Sequence, residues 1–383
     1  MASTQTISNE FLAEAVERER KRATVRSLDL SFNELADMYS TGELKITPEY
    51  QRTFRWSAAK QSQFIESVIL EMPVPPIYTV EVDEGRWELI DGLQRLSTYL
   101  HFRGQLDLPD RDPPIKRGVD FLQLQGCDIV REANGFQFEQ LTTSLQHRVR
   151  RATLRVEVVR RESNARFAYY MFKRLNTGGE PLSDQEVRNC SIRLLGNRFN
   201  DFIIRLKDDT YFQECIEDAT DEYRARMGEA ELVLRFFAFK NCLGDYVHDI
   251  DPFLTQFMER VTDETAENRI RFDYTDEERR FRKTFKILAG TLKDSSCRRW
   301  TGTRFAGGFS MSHFEAFSVG VAKVIDDLPD DASPEEYEHL KAALQSAKED
   351  AELKRITTGG GKNFRRLYEQ KINIVADKLK TAL

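Results

Sequence analysis

Cysteine pairs, histidine clusters and long apolar runs are all missing from this 383-residue chain, and each gap removes a class of function. The five cysteines, Cys127, Cys190, Cys215, Cys242 and Cys297, include no C-x-x-C pair. An odd, dispersed set reads as reduced thiols and argues against a disulfide framework or a cysteine zinc site. None of the five histidines has a second His or a Cys three or four residues away, so a metal held mainly by those ligands is not expected. No apolar run approaches the ~18 residues that cross a bilayer. The opening Met1-Ala2-Ser3-Thr4-Gln5-Thr6 shows no basic-then-apolar leader pattern, so the expectation is a cytoplasmic protein away from membranes. Gly-x-Ser-x-Gly, Gly-x-x-x-x-Gly-Lys-Ser/Thr, His-x-x-His and His-Asn-His are absent as well. A serine hydrolase, a P-loop NTPase and a His-dependent nuclease within this chain are therefore disfavoured.

What is present suits a globular chain. Hydrophobic residues make up 40% and phenylalanine alone occurs 26 times, enough for sizeable cores. The length suggests two or three domains of roughly 100–200 residues each. A net charge of −6 argues against a wholly basic nucleic-acid coat, but the charge is unevenly spread. Arg148 to Arg174 holds nine Lys/Arg against Glu157 and Glu162, whereas Asp208 to Glu231 holds nine acids against Arg224 and Arg226. Solvated helix faces and a polyanion-facing surface are both consistent with that pattern.

Residues 8–24 read as a charged surface helix. Ser31 with Glu34, Ser57 before an apolar-periodic run, and Ser183 with Glu186 are helix starts, because a hydroxyl accepts from the free N–H groups of a first turn. Ile77 to Val82 and Arg86 to Ile90 alternate as a hairpin around Asp83-Glu84-Gly85, and Thr153 to Val159 alternates as a further strand. Residues 104–135 look like an insertion of loops and short strands, and Ser163 opens a helix ending at Leu175. From about residue 184 nearly every segment has helical period, with Ser333-Pro334-Glu335-Glu336 a strong start and Gly359-Gly360-Gly361 a break. The expected architecture is α+β followed by an all-α C-terminal domain: an N-terminal arm over 1–24, a head over 25–176 and a helical body over 177–383.

Three clusters carry chemistry. At Asp91-Gly92-Leu93-Gln94-Arg95 a strand runs into a helix and gathers a carboxylate, a glycine, an amide and a guanidinium beside free backbone N–H groups. Gly92 would let the backbone approach a ligand, and Arg95 offers a fork matched to phosphate. Gln94 could orient a water, and Asp91 could hold magnesium or act as general base, as in phosphoryl transfer. The simpler alternative is that Asp91 caps the helix while Arg95 pairs with a nearby carboxylate. Tyr50-Gln51-Arg52-Thr53-Phe54-Arg55-Trp56 interleaves Arg and aromatics, which either pair phosphates and stack bases or anchor Phe54 and Trp56 in a core. Arg174-Leu175-Asn176-Thr177-Gly178-Gly179 offers polar groups beside what is otherwise a helix C-cap.

These motifs in this order resemble the N-terminal domain of GmrSD-type restriction systems, over roughly residues 25–230. The residues carrying the likeness are Pro48-x-Tyr50-Gln51-Arg52-x-x-x-Trp56, Met72–Pro76, Ile90 to Thr98, and Phe172-x-Arg174-Leu175-Asn176-Thr177-Gly178-Gly179-x-x-Leu182-Ser183. The resemblance implies a ParB/sulfiredoxin-like head binding a nucleoside triphosphate, with Mg2+ as companion. Asp91, Gln94 and Arg95 would be its catalytic residues, and Gln51, Arg52, Arg55, Gly92, Arg174, Asn176 and Gly178 would line the nucleotide. It further implies NTP hydrolysis in defence against modified phage DNA, a role in which DNA is a partner and a homo-oligomer is admissible.

Two departures stand out. The family turn usually reads Asp-Gly-Gln-Gln-Arg, and Leu93 replaces its first glutamine, so that position points into the core or hydrolysis is weakened. Residues 184–383 lack the His-Asn-His nuclease motif common in DNA-cutting members, so the nuclease is expected as a separate subunit in trans. A binding adaptor without turnover and a ParB-like nickase are the competing readings.

Overall fold

Five short stretches with alternating or β-branched character pair into one sheet: Val25–Ser31 (β1), Leu44–Lys45 (β2), Ile77–Asp83 (β3), Arg86–Asp91 (β4) and Thr153–Val159 (β5). The order is β1-β5-β3-β4-β2. The computed structural model describes residues 12–14, 16–17, 25–46, 54, 56–109, 113–160, 183–193, 195–301, 303–358 and 364–382. Most of the expected 8–24 arm, the 163–175 helix and the triple glycine at 359–361 lie outside the described residues. The chain divides into two compact units, 1–182 with 189–194 and 183–188 with 195–383.

In the first unit β5 is an interior strand next to the β1 edge. It pairs antiparallel with β1, Leu28 opposite Val156, and parallel with β3, Ile77 opposite Val156. The hairpin at Asp83–Arg86 forms as expected, with irregular register between Tyr78 and Thr79. One sheet face is covered by Phe32–Thr41 (α1), Ala58–Ile69 (α2), Leu93–Phe102 (α3) and Thr143–Arg151 (α4). Phe32, Ile65, Ile77, Leu96, Tyr99, Leu100, Phe102 and Val156 are all fully buried there. The Phe32 and Tyr99 rings stack 4.7 Å apart. Each such side chain contributes about 1.5–3 kcal/mol by leaving water, so this face holds the unit together. Among the described residues the other sheet face carries a small cluster of Ile90, Tyr78 and Val80.

The helix starts follow the hydroxyl rule. Ser31 Oγ accepts from Glu34 N at 3.1 Å, and Ser57 Oγ from Lys60 N at 3.3 Å. β1 was not foreseen, since Leu28 and Leu30 are only half-buried and its alternation becomes meaningful through pairing with β5. In the insertion after α3, the short strands expected over 104–135 reduce to one isolated bridge, Leu108 with Ile115. Turns at Gly104, Gly118, Gly126 and Gly135, all at positive φ, repeatedly reverse the chain before any ladder can extend.

The second unit is a run of helices: Asp184–Ile192 (α5), Arg198–Leu206 (α6), Thr210–Cys215 (α7), Asp221–Ala225 (α8), Gly228–Cys242 (α9), Ile250–Thr262 (α10), Tyr274–Thr291 (α11), Met311–Lys323 (α12), Pro334–Glu349 (α13), Ala351–Thr357 (α14) and Arg365–Ala382 (α15). Helix α5 straddles the boundary, with its first turns counted in this unit. Ser183 and Glu186 form the expected reciprocal cap at its start, 2.7 and 3.2 Å. Helix α9 is buried on every side over Leu232–Phe239, with Leu232, Val233, Leu234, Phe236 and Phe237 wholly buried. The charge within that buried stretch, Arg235, is neutralised by Glu231 and Glu315, and Glu315 is shared with Lys371. A small hairpin, Arg299–Trp300 (β6) with Phe305–Ala306 (β7), interrupts the helices and sets the Trp300 and Phe305 rings edge to face.

Candidate functional site

The Asp91–Arg95 turn sits where β4 ends and α3 begins. Asp91 is the last strand residue, opposite Tyr78 of β3. Gly92 follows at φ 104°, a conformation L side chains rarely adopt, and it is the helix N-cap with no side-chain hydrogen bond to the first turn. The first-turn N–H groups carry the positive end of the helix dipole, which favours an anion. Asp91 does not cap the helix. Its carboxylate instead accepts from Arg95 Nη2 at 2.8 Å, and the same nitrogen donates to the Pro76 carbonyl at 3.0 Å.

That geometry revises three expectations. Arg95 was expected to grip phosphate, yet its side chain is largely buried and its Nη2 is shared between Asp91 and Pro76, while its Nε has no partner among the described residues. Gly92 was expected to admit a ligand close to the backbone. A Cβ built there would lie 2.2 Å from Ile77 Cγ2, so packing against the core already demands glycine at this point. Leu93 is buried in the main core, which resolves the alternative left open for it: the residue faces inward.

Gln94 bridges to the second cluster, its Oε1 accepting from the Trp56 N–H at 3.1 Å. In that cluster Phe54 is a core residue, with its ring 6.0 Å from that of His101, and Trp56 packs 5.7 Å from Phe64. The base-stacking reading of Phe54 is thereby replaced by anchoring, because a buried ring presents no free face. Gln51, Arg52 and Arg55 lie outside the described residues, as do Arg174, Asn176 and Gly178.

One neighbour was missed in the sequence. Tyr78 is the register partner of Asp91, in the small cluster with Ile90 and Val80. Burial, then the Glu157 and Asp91 charges, push its phenol above the usual tyrosine range, with Arg95 opposing. Alternation along β3 could have placed it on the same face as Val80, but only strand pairing sets it beside Asp91. Among the described residues no group of three His, Cys, Asp or Glu side chains is placed to hold a metal.

Residues 32–193 match the N-terminal domain family of the GmrSD restriction endonucleases. That span is similar to a GmrSD N-terminal domain. The matched span contains the Asp91–Arg95 turn and the whole sheet except β1. No curated protein and no solved structure matches the chain. A domain similar to this family suggests a component of a restriction system, which is as far as the comparison goes. No helix among the described residues is long and apolar enough to cross a membrane.

Proposed function

We propose that the GmrSD N-terminal domain here is a nucleotide-binding sensor that hydrolyses a nucleoside triphosphate at the Asp91–Arg95 turn, with DNA cleavage performed by a separate nuclease subunit. The observation that supports this reading is the uncapped start of α3 beside a partly exposed carboxylate. Backbone N–H groups there favour phosphate, and Asp91 is a single carboxylate of the kind that holds magnesium together with substrate phosphates. Bound with the nucleotide, magnesium would supply charge neutralisation of the phosphates.

The protein's own part is positional. Arg95 orients the Asp91 carboxylate through their shared hydrogen bond and ties it to the Pro76 carbonyl. A phosphate entering at Gly92 would offer the guanidinium a second anionic partner and free Asp91 to turn outward. Gln94 accepts the Trp56 N–H through Oε1 and so fixes the second cluster against the turn.

The adaptor reading keeps one specific support. In the arrangement described, Arg95 is neutralised within the turn and Leu93 supplies no polar group. Phosphate release from ATP, GTP, CTP and UTP, with and without modified DNA, separates the two. Release lost in Asp91→Asn supports hydrolysis at this turn. A ligand-induced thermal shift with no release selects the adaptor. Neither shift nor release with any of the four removes nucleotide chemistry from this domain.

A further inference from the structure

Away from the Asp91 turn, the first unit holds an open cleft of about 940 Å³ between the end of α2 and the exposed face of α4. Its two walls differ in kind. One is apolar: Val68, Met72, Pro73 and Val74, with Phe32 at the base. The other is a single stripe of α4, Ser144, His147, Arg148 and Arg151, at spacings of three, one and three residues. That spacing puts all four side chains on one helix face, and all four are exposed.

Some arginines of the described residues are held by carboxylates, as with Arg155 on Asp29 and Arg205 on Glu278. Arg151 and His147 have no hydrogen-bond or ion-pair partner among the described residues. Arg148 has a loose contact, Nε to Glu71 Oε1 at 3.7 Å with both side chains well exposed. A pair of that kind is worth about 0–1 kcal/mol and is readily exchanged for a better anion. Glu71 is also the single acid lining the cleft. The cleft thus presents unsatisfied positive charge facing an apolar strip.

We infer that this cleft is a docking site for the phosphodiester backbone of a DNA strand, its phosphates on the α4 stripe and its sugars or bases against Met72–Val74. From Ser144 to Arg151 the stripe rises about 10 Å along the helix, enough for two or three phosphates at roughly 3.4 Å of axis each. The guanidinium fork suits phosphate oxygens, and the flat proline-bearing wall suits the uncharged faces of nucleotides. The choice of DNA over an acidic peptide rests on the restriction-system reading above. Met72–Pro76 also joins the two sites, since its first residues line the cleft and its Pro76 carbonyl receives Arg95.

The test uses the full chain and a 12-nucleotide single strand, with poly-glutamate and ATP as competing probes. Arg148→Gln with Arg151→Gln is compared with a charge-matched control, Arg131→Gln with Arg117→Gln, elsewhere on the same unit. The stripe variant should bind the strand at least tenfold more weakly. Its log-affinity against log-salt slope should fall by about 1.4, two phosphate contacts at about 0.7 each. Ser144→Glu, which places an acid where a helix first turn tolerates it, should weaken binding without lowering the melting temperature. Unchanged affinity and slope in the stripe variant overturns the inference. So does poly-glutamate that competes as well as DNA, or a loss confined to ATP. Because Asp91 lies outside the cleft, nucleotide turnover that survives in the stripe variant, alongside lost DNA binding, would leave the two readings separately judged.

Discussion

Gly92→Ala places a methyl group at the point where β4 becomes α3, and two costs add there. The backbone sits at φ 104°, outside the range of L residues, which costs about 1–3 kcal/mol. The new Cβ would also fall 2.2 Å from Ile77 Cγ2 and 2.8 Å from Ile77 Cβ, inside a core where Ile77 is fully buried. Overpacking of that kind costs about 1–3 kcal/mol more. The sum, about 2–6 kcal/mol, is a large part of the stability of an ordinary domain. Urea unfolding in a Trp300→Phe background reads the first unit alone, because Trp56 and Trp87, the other two tryptophans, both belong to it. With a slope of about 1–3 kcal/mol per molar urea, the midpoint should drop by more than about 1 M. Ile77→Ala removes Cγ2, so the double variant should be less damaged than the two single losses added, by about 1 kcal/mol or more. Strict additivity, or a midpoint that does not move, would refute the packing account of Gly92 and return the residue to a ligand-facing role.

In the second unit, His313 is held well below the usual histidine range, at about 3, first by burial and then by Lys348, Lys371 and Arg299. The unfolded chain then takes up a proton near pH 6.5 that the fold refuses, so stability present above that pH is lost as pH falls toward 3. The loss should reach roughly 2–3 kcal/mol by pH 4.5 and be largely absent in His313→Gln, read from urea midpoints across pH. Glu315 joins Arg235 at 2.9 Å and Lys371 at 2.6 Å in the interior, and Glu315→Ala should cost about 3–5 kcal/mol by stranding Lys371 and leaving Arg235 with Glu231 alone, measured by thermal and urea melts. Glu71 occupies the left-handed position after α2 at φ 55°, with Glu71 N donating to Val68 O and Met72 N to Ser67 O. Glu71→Gly should stabilise by up to about 1 kcal/mol in the same melts, and a destabilisation would show that the strain is not there.

Local signals carried far along this chain. Serine caps at 31, 57, 183 and 333, the hairpin at 83–86 and the buried stripe Leu96, Tyr99, Leu100 and Phe102 all stand where short-range spacing placed them. Each depends on groups within a few residues of one another, so the order of residues suffices. The alternatives at the Asp91 turn were of another kind. Whether Arg95 faced phosphate or a carboxylate, whether Leu93 faced in or out, and whether Phe54 was a platform or an anchor all depended on partners far off in the chain.

Composition and spacing were enough to establish a mixed head, a helical body and a strand-to-helix turn rich in polar groups, because periodicity and capping are local properties. The pairing of β1 with β5, Tyr78 beside Asp91, the Ile77 methyl under Gly92, and an apolar wall facing the α4 arginines came only with the folded chain. Sequence neighbours constrain which face a side chain can occupy. Only the packing of distant segments decides what that face meets.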